Sequence, residues 1–147
     1  MRCEQKDITC RSDIEKLMVD FYRLAFNDDR IGYIFTDVAK MDLEEHLPII
    51  CDFWESILFG KRDYAARGRN PMEVHRLLAE KEPLRESHFV RWLELFCESV
   101  DRLFGGPNAE NLKGRAAQIA ARMVENLCSG KSFIRIEERG AARLSPE

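Results

Sequence analysis

The sequence predicts an all-α protein, and three observations support this fold class. Apolar residues recur at helical spacing in every long segment, and each such segment is bounded by residues that cap or break helices. No convincing pair of β-strands is found, since the run S-F-I-R-I at 132–136 is the only strand-like stretch. We therefore expect four substantial helices and two short ones.

Length and composition indicate one globular domain. The 147 residues are enough to bury a core, and 45% hydrophobic with 33% charged residues excludes a disordered chain. The net charge of -3 and the mixed charge pattern argue against nucleic acid as a partner. No apolar run reaches the roughly 18 residues of a membrane span, and the N-terminus lacks the apolar core of a signal peptide. These features predict a cytoplasmic protein that does not enter a membrane.

The five cysteines predict reduced thiols rather than a disulfide framework or a zinc ribbon. They are odd in number and scattered, and neither C-x-x-C nor C-x-x-C-H occurs. H-E-x-x-H is also absent, and no cluster has the ligand spacing of a zinc site. A nucleophilic pair of a histidine with Cys51 or Cys97 is conceivable, but no feature of the sequence places either thiol near a histidine.

The first helix is predicted to begin at Ser12 or Asp13, because Glu15 follows Ser12 by three residues as in a capping box. Its apolar face comprises Ile14, Leu17, Met18, Phe21 and Ala25, with Tyr22 on the flank. The turn cluster at 27–29 ends it. The apolar run I-G-Y-I-F at 31–35 is interpreted as one or two helical turns, followed by a connector over 36–41.

The third predicted helix begins at Asp42, with Glu45 three residues later, and ends at Gly60. Pro48 should bend it, because proline removes one backbone hydrogen bond. Its broad apolar face comprises Ile49, Ile50, Phe53, Trp54, Ile57 and Leu58, and His46 lies on the same face near the N-terminal end. Residues 61–70 have no periodicity and predict a surface loop.

A short helix is predicted between two prolines, Pro71 at its first turn and Pro83 after its end. Met72, His75 and Leu78 share one of its faces. A long helix follows over about 85–103, with an apolar stripe of Phe89, Trp92, Leu93, Phe96, Val100 and Leu103. Gly105-Gly106-Pro107 ends it. The last helix begins near Asn108, carries Leu112, Ala116, Ile119, Ala120, Met123 and Leu127 on one face, and ends near Gly130.

Three histidines are the candidates for chemistry: His46, His75 and His88. A histidine on a helix is more often a surface or hydrogen-bonded residue than a ligand. His88 keeps that interpretation, whereas His75 and His46 each lie on an apolar helix face. The metal chemistry that fits is one neutral imidazole on iron, with aromatic and aliphatic walls for a porphyrin.

In its motifs the sequence resembles the truncated haemoglobins, and among them group III. The matching pieces are D-F-Y at 20–22, I-G-Y-I-F at 31–35, E-H-L-P-I-I-C-D-F-W at 45–54, L-F-G-K-R-D-Y at 58–64, N-P-M-E-V-H at 70–75 and P-L-R-E-S-H-F-V-R-W-L-E-L-F at 83–96. They occur in the family's order over residues 12–128, and their combination is specific. One departure is the seven-residue spacer between His75 and Pro83, which is longer than in relatives.

The resemblance implies a two-over-two helical sandwich that binds haem b without a covalent bond. His75 would be the proximal ligand of the haem iron. Tyr22 and Trp92 would donate hydrogen bonds to the distal ligand, and His46 would stand at the distal entrance. Ile50 and Phe53 would pack over the porphyrin. The truncated globin domain would span 12–130, between a flexible N-terminus (1–11) and a flexible C-terminal extension (131–147).

These expectations define a globin that binds oxygen or another diatomic ligand. Because two donors beside a partly charged ligand favour retention, redox or detoxification chemistry is expected rather than bulk transport. Two enzymatic variants stay open, a peroxidase-like activity on peroxide and a nitric oxide dioxygenase, and either would require a reductase partner. A different class also stays open: a helical interaction or regulatory module without any cofactor.

Overall fold

The computed structural model describes residues 5–68 and 70–128. In these two ranges the chain forms helices and no strand, which confirms the all-α prediction. The α-helices are α1 (Arg11–Phe26), α2 (Leu43–Phe59), α3 (Asp63–Ala66), α4 (Pro71–Lys81), α5 (Glu86–Leu103) and α6 (Pro107–Met123). Two π-helical segments, Ile34–Val38 and Val124–Cys128, follow α1 and α6. The strand-like run at 132–136 lies outside the described residues.

Four long helices form two layers, as the resemblance implied. The α1–α2 pair packs on the α5–α6 pair, through contacts of α1 with α5 and of α2 with α6. Apolar side chains between the layers are withdrawn from water, and this burial supplies most of the drive to fold. The fully buried ones include Leu17, Met18, Phe21, Phe96, Val100, Leu112 and Ala116. This arrangement is the predicted two-over-two sandwich.

Local signals set the ends of α2 and α4 as predicted. The Asp42 carboxylate accepts a hydrogen bond from the Glu45 N–H at 3.3 Å and so caps α2. Gly60 ends that helix with φ of 71°, a left-handed conformation that glycine adopts without strain. The Asn70 side chain caps α4 by accepting from the N–H of Met72 at 3.0 Å.

The start of α1 differs from the prediction, which placed the cap at Ser12 or Asp13. The helix begins at Arg11, with Cys10 at the capping position. Asp13 instead reaches back from the first turn, and its carboxylate accepts from the Thr9 N–H at 2.9 Å. A carboxylate in the first turn also interacts favourably with the positive end of the helix dipole. Asp13 therefore stabilises the start of α1 from the first turn, as it would from the capping position.

The N-terminal segment was predicted to be flexible over 1–11, yet part of it packs against the helices. Ile8 is fully buried, and the Asp7 carboxylate accepts hydrogen bonds from the N–H groups of Asn108 and Ala109, both at 2.9 Å. Asp7 therefore caps α6, whose own N-cap residue is Gly106 and has no side chain to do so. A Cβ at Gly106 would meet Asp7 at 2.6 Å, so glycine is required there. Residues 1–4 and the predicted extension 131–147 lie outside the described residues.

Two connections are more helical than predicted. The residues after Tyr33 continue as the π-helical segment Ile34–Val38, where an irregular connector was expected over 36–41. The predicted surface loop at 61–70 contains the short helix α3. Neither stretch has a periodic apolar pattern, so their helical turns depend on packing and backbone hydrogen bonds rather than on sequence periodicity.

Replacing Asp13 by asparagine should destabilise the protein in a pH-dependent way. Burial alone would raise the pKa of Asp13, but hydrogen bonds from Lys6 and Thr9 outweigh it and lower the pKa from 3.8 to about 2. The resulting stabilisation is complete above pH 3.8 and disappears as the pH falls through about 2. After allowance for the exposed Lys6, we expect a loss of about 1–2 kcal/mol at pH 7. Urea denaturation over this pH range measures it, and the exposed Asp29→Asn is the control. A difference in stability between Asp13→Asn and the wild type that does not change with pH would contradict this role of the Asp13 carboxylate.

Replacing Ser99 by alanine should leave stability unchanged or raise it. Its hydroxyl is fully buried in α5 and has no hydrogen-bond partner among the described residues. Ser56→Ala in α2 is the matched control, because that hydroxyl donates to the Phe53 carbonyl at 2.5 Å. Both substitutions replace serine by alanine inside a helix, so they raise helix propensity equally. Only Ser56→Ala also loses a hydrogen bond, so the Ser99→Ala variant should be the more stable of the two by about 1 kcal/mol. Thermal unfolding of both variants tests the difference, and the opposite order would mean that Ser99 has a partner.

Candidate functional site

His75 lies one turn into α4, where the local sequence fixes its orientation. Asn70 caps the helix, and Pro71 occupies the first helical position. The Nδ1 of His75 lies 2.7 Å from the Pro71 carbonyl oxygen, so Nδ1–H donates and the Nε2 lone pair is left free. A histidine that ligates a metal normally has this arrangement, with its other ring nitrogen bonded to a carbonyl.

The protonation state of His75 also suits a ligand. The side chain is half-buried, and burial lowers its pKa although the bond to Pro71 acts in the opposite direction. The imidazole is therefore neutral at physiological pH. No described residue bonds its Nε2, so this atom is available to an electron-pair acceptor.

The helix that carries His75 packs loosely. None of the α4 residues is fully buried, and its main contacts are with the segment Val124–Cys128. Met72, His75 and Leu78, which share one face, are only half-buried. The apolar face of α4 is therefore only partly covered by the described side chains.

An aromatic cluster lies across α1, α2 and α5. Phe96 stacks between two indole rings, with ring centroids 5.3 Å from Trp92 and 4.9 Å from Trp54. Phe21 packs edge-on against Trp92 at 5.9 Å and against Tyr22 at 4.7 Å. The predicted distal residues Tyr22 and Trp92 are therefore brought together through one shared ring.

The polar atoms of this cluster lack partners. Neither the Tyr22 hydroxyl nor the Trp92 indole N–H makes a hydrogen bond with a described residue, and both side chains are half-buried. Neither atom is enclosed: within 5–68 and 70–128, Ser99 Oγ alone is both enclosed and unpaired. The two donors are therefore partly accessible and unpaired among the described residues. Burial raises the pKa of Tyr22, so its hydroxyl remains protonated and able to donate.

His46 lies at the N-terminal end of α2, as predicted. Its Nδ1–H donates to the Asp42 carbonyl at 3.0 Å, which leaves Nε2 free. Ile50 and Phe53 follow on the same face and are half-buried. The Phe53 ring packs edge-on against Trp54 at 5.0 Å, so this face of α2 adjoins the aromatic cluster.

The predicted site residues thus form two groups. Tyr22, Trp92 and Phe53 are linked through ring contacts with Phe21, Trp54 and Phe96. His75 has no ring contact or hydrogen bond to this group within the described part of the chain. His88 has the surface role assigned from the sequence, since its Nδ1 accepts from the Arg85 N–H at 3.0 Å and its Nε2 lies 3.4 Å from the Tyr33 hydroxyl.

One polar cluster was missed by the sequence analysis. The Asp52 and Glu55 carboxylates are buried on α2 and bind Arg11 at 2.6 Å and 2.8 Å. Arg67 binds the second oxygen of Asp52 at 2.7 Å. A carboxylate of Asp63 lies near both acids, and the two guanidinium groups offset two of the three negative charges, so the described contacts form an ion-pair network. The positions of these residues in the sequence do not indicate that they form a cluster.

Comparison with known proteins finds a similar sequence and a similar fold. No family model matches the chain. The curated "Group 3 truncated hemoglobin ctb" of Campylobacter jejuni is 29% identical over 114 residues, which cover 76% of this chain and 85% of that protein. The crystal structure of the group III truncated hemoglobin from Campylobacter jejuni superposes with a TM-score of 0.72 at 28% identity, and the match covers 84% of this chain and 94% of that one.

The fold is that of a truncated globin. Its four long helices and the loosely packed helix between α2 and α5 are the elements on which the candidate site is built. In sequence and in fold the chain is similar to the group III truncated hemoglobin of Campylobacter jejuni, which confirms the resemblance inferred from the motifs. None of the described helices is both long and apolar enough to cross a membrane.

Proposed function

We propose that this protein binds haem b non-covalently through His75 and holds oxygen or another diatomic ligand on the opposite face. The observation that carries the proposal is the state of His75. Its imidazole is neutral, its Nδ1–H is bonded to the Pro71 carbonyl at 2.7 Å, and its Nε2 is free. His75 shares its helix face with Met72 and Leu78, and this half-covered face offers apolar surface for a porphyrin.

On the opposite side, Tyr22 and Trp92 would orient the ligand. When bound, haem supplies the iron to which a diatomic molecule attaches. The Tyr22 hydroxyl and the Trp92 indole N–H are donors without partners among the described residues, so they can bond a partly negative ligand without breaking other hydrogen bonds. Ile50 and Phe53 would cover the porphyrin and exclude water. His46 would stand at the entrance, with its Nε2 free of partners among the described residues.

Redox or detoxification chemistry suits these donors better than transport. Hydrogen bonds to a charged acceptor are worth roughly 1.5–3 kcal/mol each, and two of them slow oxygen release by several powers of ten. Oxygen, nitric oxide and peroxide are the candidate ligands. Peroxidase-like or nitric oxide dioxygenase turnover would require electrons from a reductase. The cytoplasmic location also stays a prediction.

An optical spectrum tests the proposal against a cofactor-free interaction module. Purified protein, or apoprotein titrated with haemin, should show a Soret band and form a ferrous oxygen complex. A haem protein should also gain thermal stability on loading, because the ligand binds the folded state. A colourless protein whose unfolding ignores haemin would overturn the proposal and favour the interaction module.

A further inference from the structure

Apolar packing covers α4 only in part. Met72, Leu78 and Ala79 pack against the hydrophobic core, but none of the residues of this helix is fully buried. At its C-terminal end, Glu82 accepts a hydrogen bond from the Tyr33 hydroxyl at 3.2 Å, near the surface. At its N-terminal end, the connection from α3 carries Arg67, three residues before the capping Asn70.

Arg67 binds a buried partner. Its Nε donates to the Asp52 carboxylate at 2.7 Å, and the Asp52 side chain is 8% exposed. Burial alone would raise the pKa of Asp52, but the hydrogen bonds of Arg11 and Arg67 outweigh it and lower the pKa, so the carboxylate is charged. Asp52 immediately precedes Phe53 of the predicted distal face. The ion pair therefore joins the helix of the distal wall to the segment that enters the His75 helix.

We infer that Arg67 is a positioning residue that sets where α4 presents His75, through its ion pair with Asp52. The inference rests on the proposed haem site. It extends that site by an ion pair between α2 and Arg67, which precedes the His75 helix. Arg67 touches neither His75 nor the distal donors within the described residues, so its effect on haem binding would be indirect.

The test compares Arg67→Gln with Arg11→Gln in the haem-loaded protein. Both substitutions remove one guanidinium from the same carboxylate, but Arg11 belongs to α1 and does not lead into α4. The measurements are the iron–histidine stretching frequency by resonance Raman spectroscopy and the rate of haem transfer to an apoglobin acceptor. Arg67→Gln should shift the stretching frequency and release haem roughly 10-fold faster, the lower end of what loss of a contact supporting a metal ligand costs.

Arg11→Gln should lower the unfolding temperature but leave both haem readouts near wild type, and Arg67→Lys should restore part of the wild-type behaviour. If Arg67→Gln only lowers the unfolding temperature, its role is merely structural and the inference is overturned. Equal effects of Arg11→Gln and Arg67→Gln on the stretching frequency would overturn it too. A wild-type protein that does not load haem would overturn the proposed function and this inference with it, which distinguishes the two failures.

Discussion

Replacing His75 by alanine should remove the haem or its native ligation. Substitutions around a metal ligand typically cost 10- to 100-fold in metal affinity, so loss of the ligand itself should cost at least about 100-fold. The ferrous spectrum of a histidine-ligated haem should disappear, and added imidazole should restore it in part. Haemin titration followed at the Soret band measures the loss.

His88→Ala is the matched control, because it removes a half-buried histidine from the neighbouring helix. The His88 ring is engaged with the Arg85 N–H and lies near the Tyr33 hydroxyl, so it is not available as a ligand. This variant should bind haem like the wild type. Full retention of affinity and spectrum by His75→Ala would refute the proximal assignment.

Replacing Tyr22 or Trp92 by phenylalanine should speed oxygen release. Each change removes one donor and keeps an aromatic ring in the cluster, where Trp92 stacks on Phe96 with an angle of 5° between the ring planes. Loss of a hydrogen bond worth roughly 1.5–3 kcal/mol raises the dissociation rate about 10- to 100-fold. Stopped-flow measurement with each single variant and the double variant gives both contributions and their coupling.

Carbon monoxide provides the internal control, because it develops little charge and gains little from a donor. Its dissociation rate should change much less than that of oxygen. Tyr33→Phe is a second control, since that hydroxyl bonds Glu82 near the surface. Unchanged oxygen kinetics in both Tyr22→Phe and Trp92→Phe would mean that these two donors do not contact the bound ligand.

The main helices could be predicted because their signals are local. Apolar spacing of three and four residues marks the buried faces, and capping residues such as Asp42 and Asn70 act within three residues of themselves. The end of α2 at Gly60 is also local, because it needs only a residue that tolerates positive φ. Interactions that lie within one turn of a helix can be predicted from the sequence of that helix alone.

Contacts between distant segments could not be predicted. Asp7 caps α6, a helix about 100 residues away in the sequence. The residues around Gly106 do not indicate that a distant side chain caps this helix. The Arg67–Asp52 pair spans 15 residues across a turn with no periodicity. The segment Ile34–Val38 is helical without an amphipathic pattern. Each depends on where the other elements lie after folding.

The residues of the candidate site were predicted from sequence motifs and not from the geometry of the folded chain. His75 on a short helix was visible as a face shared with Met72 and Leu78, but the open Nε2 and the loose packing of α4 are properties of the folded chain. The stacking of Phe96 between Trp54 and Trp92 joins residues of two helices and could not be read from either one.

The absence of a fully buried residue in α4 has a thermodynamic consequence. A helix of 11 residues is marginal in water by itself, so α4 contributes little to global cooperativity and forms a unit that can open locally. In a loaded protein, the free energy of binding at His75 would include the cost of ordering this unit. Haem release would then follow the local opening of α4 rather than global unfolding, and denaturant would accelerate release before the four-helix core melts.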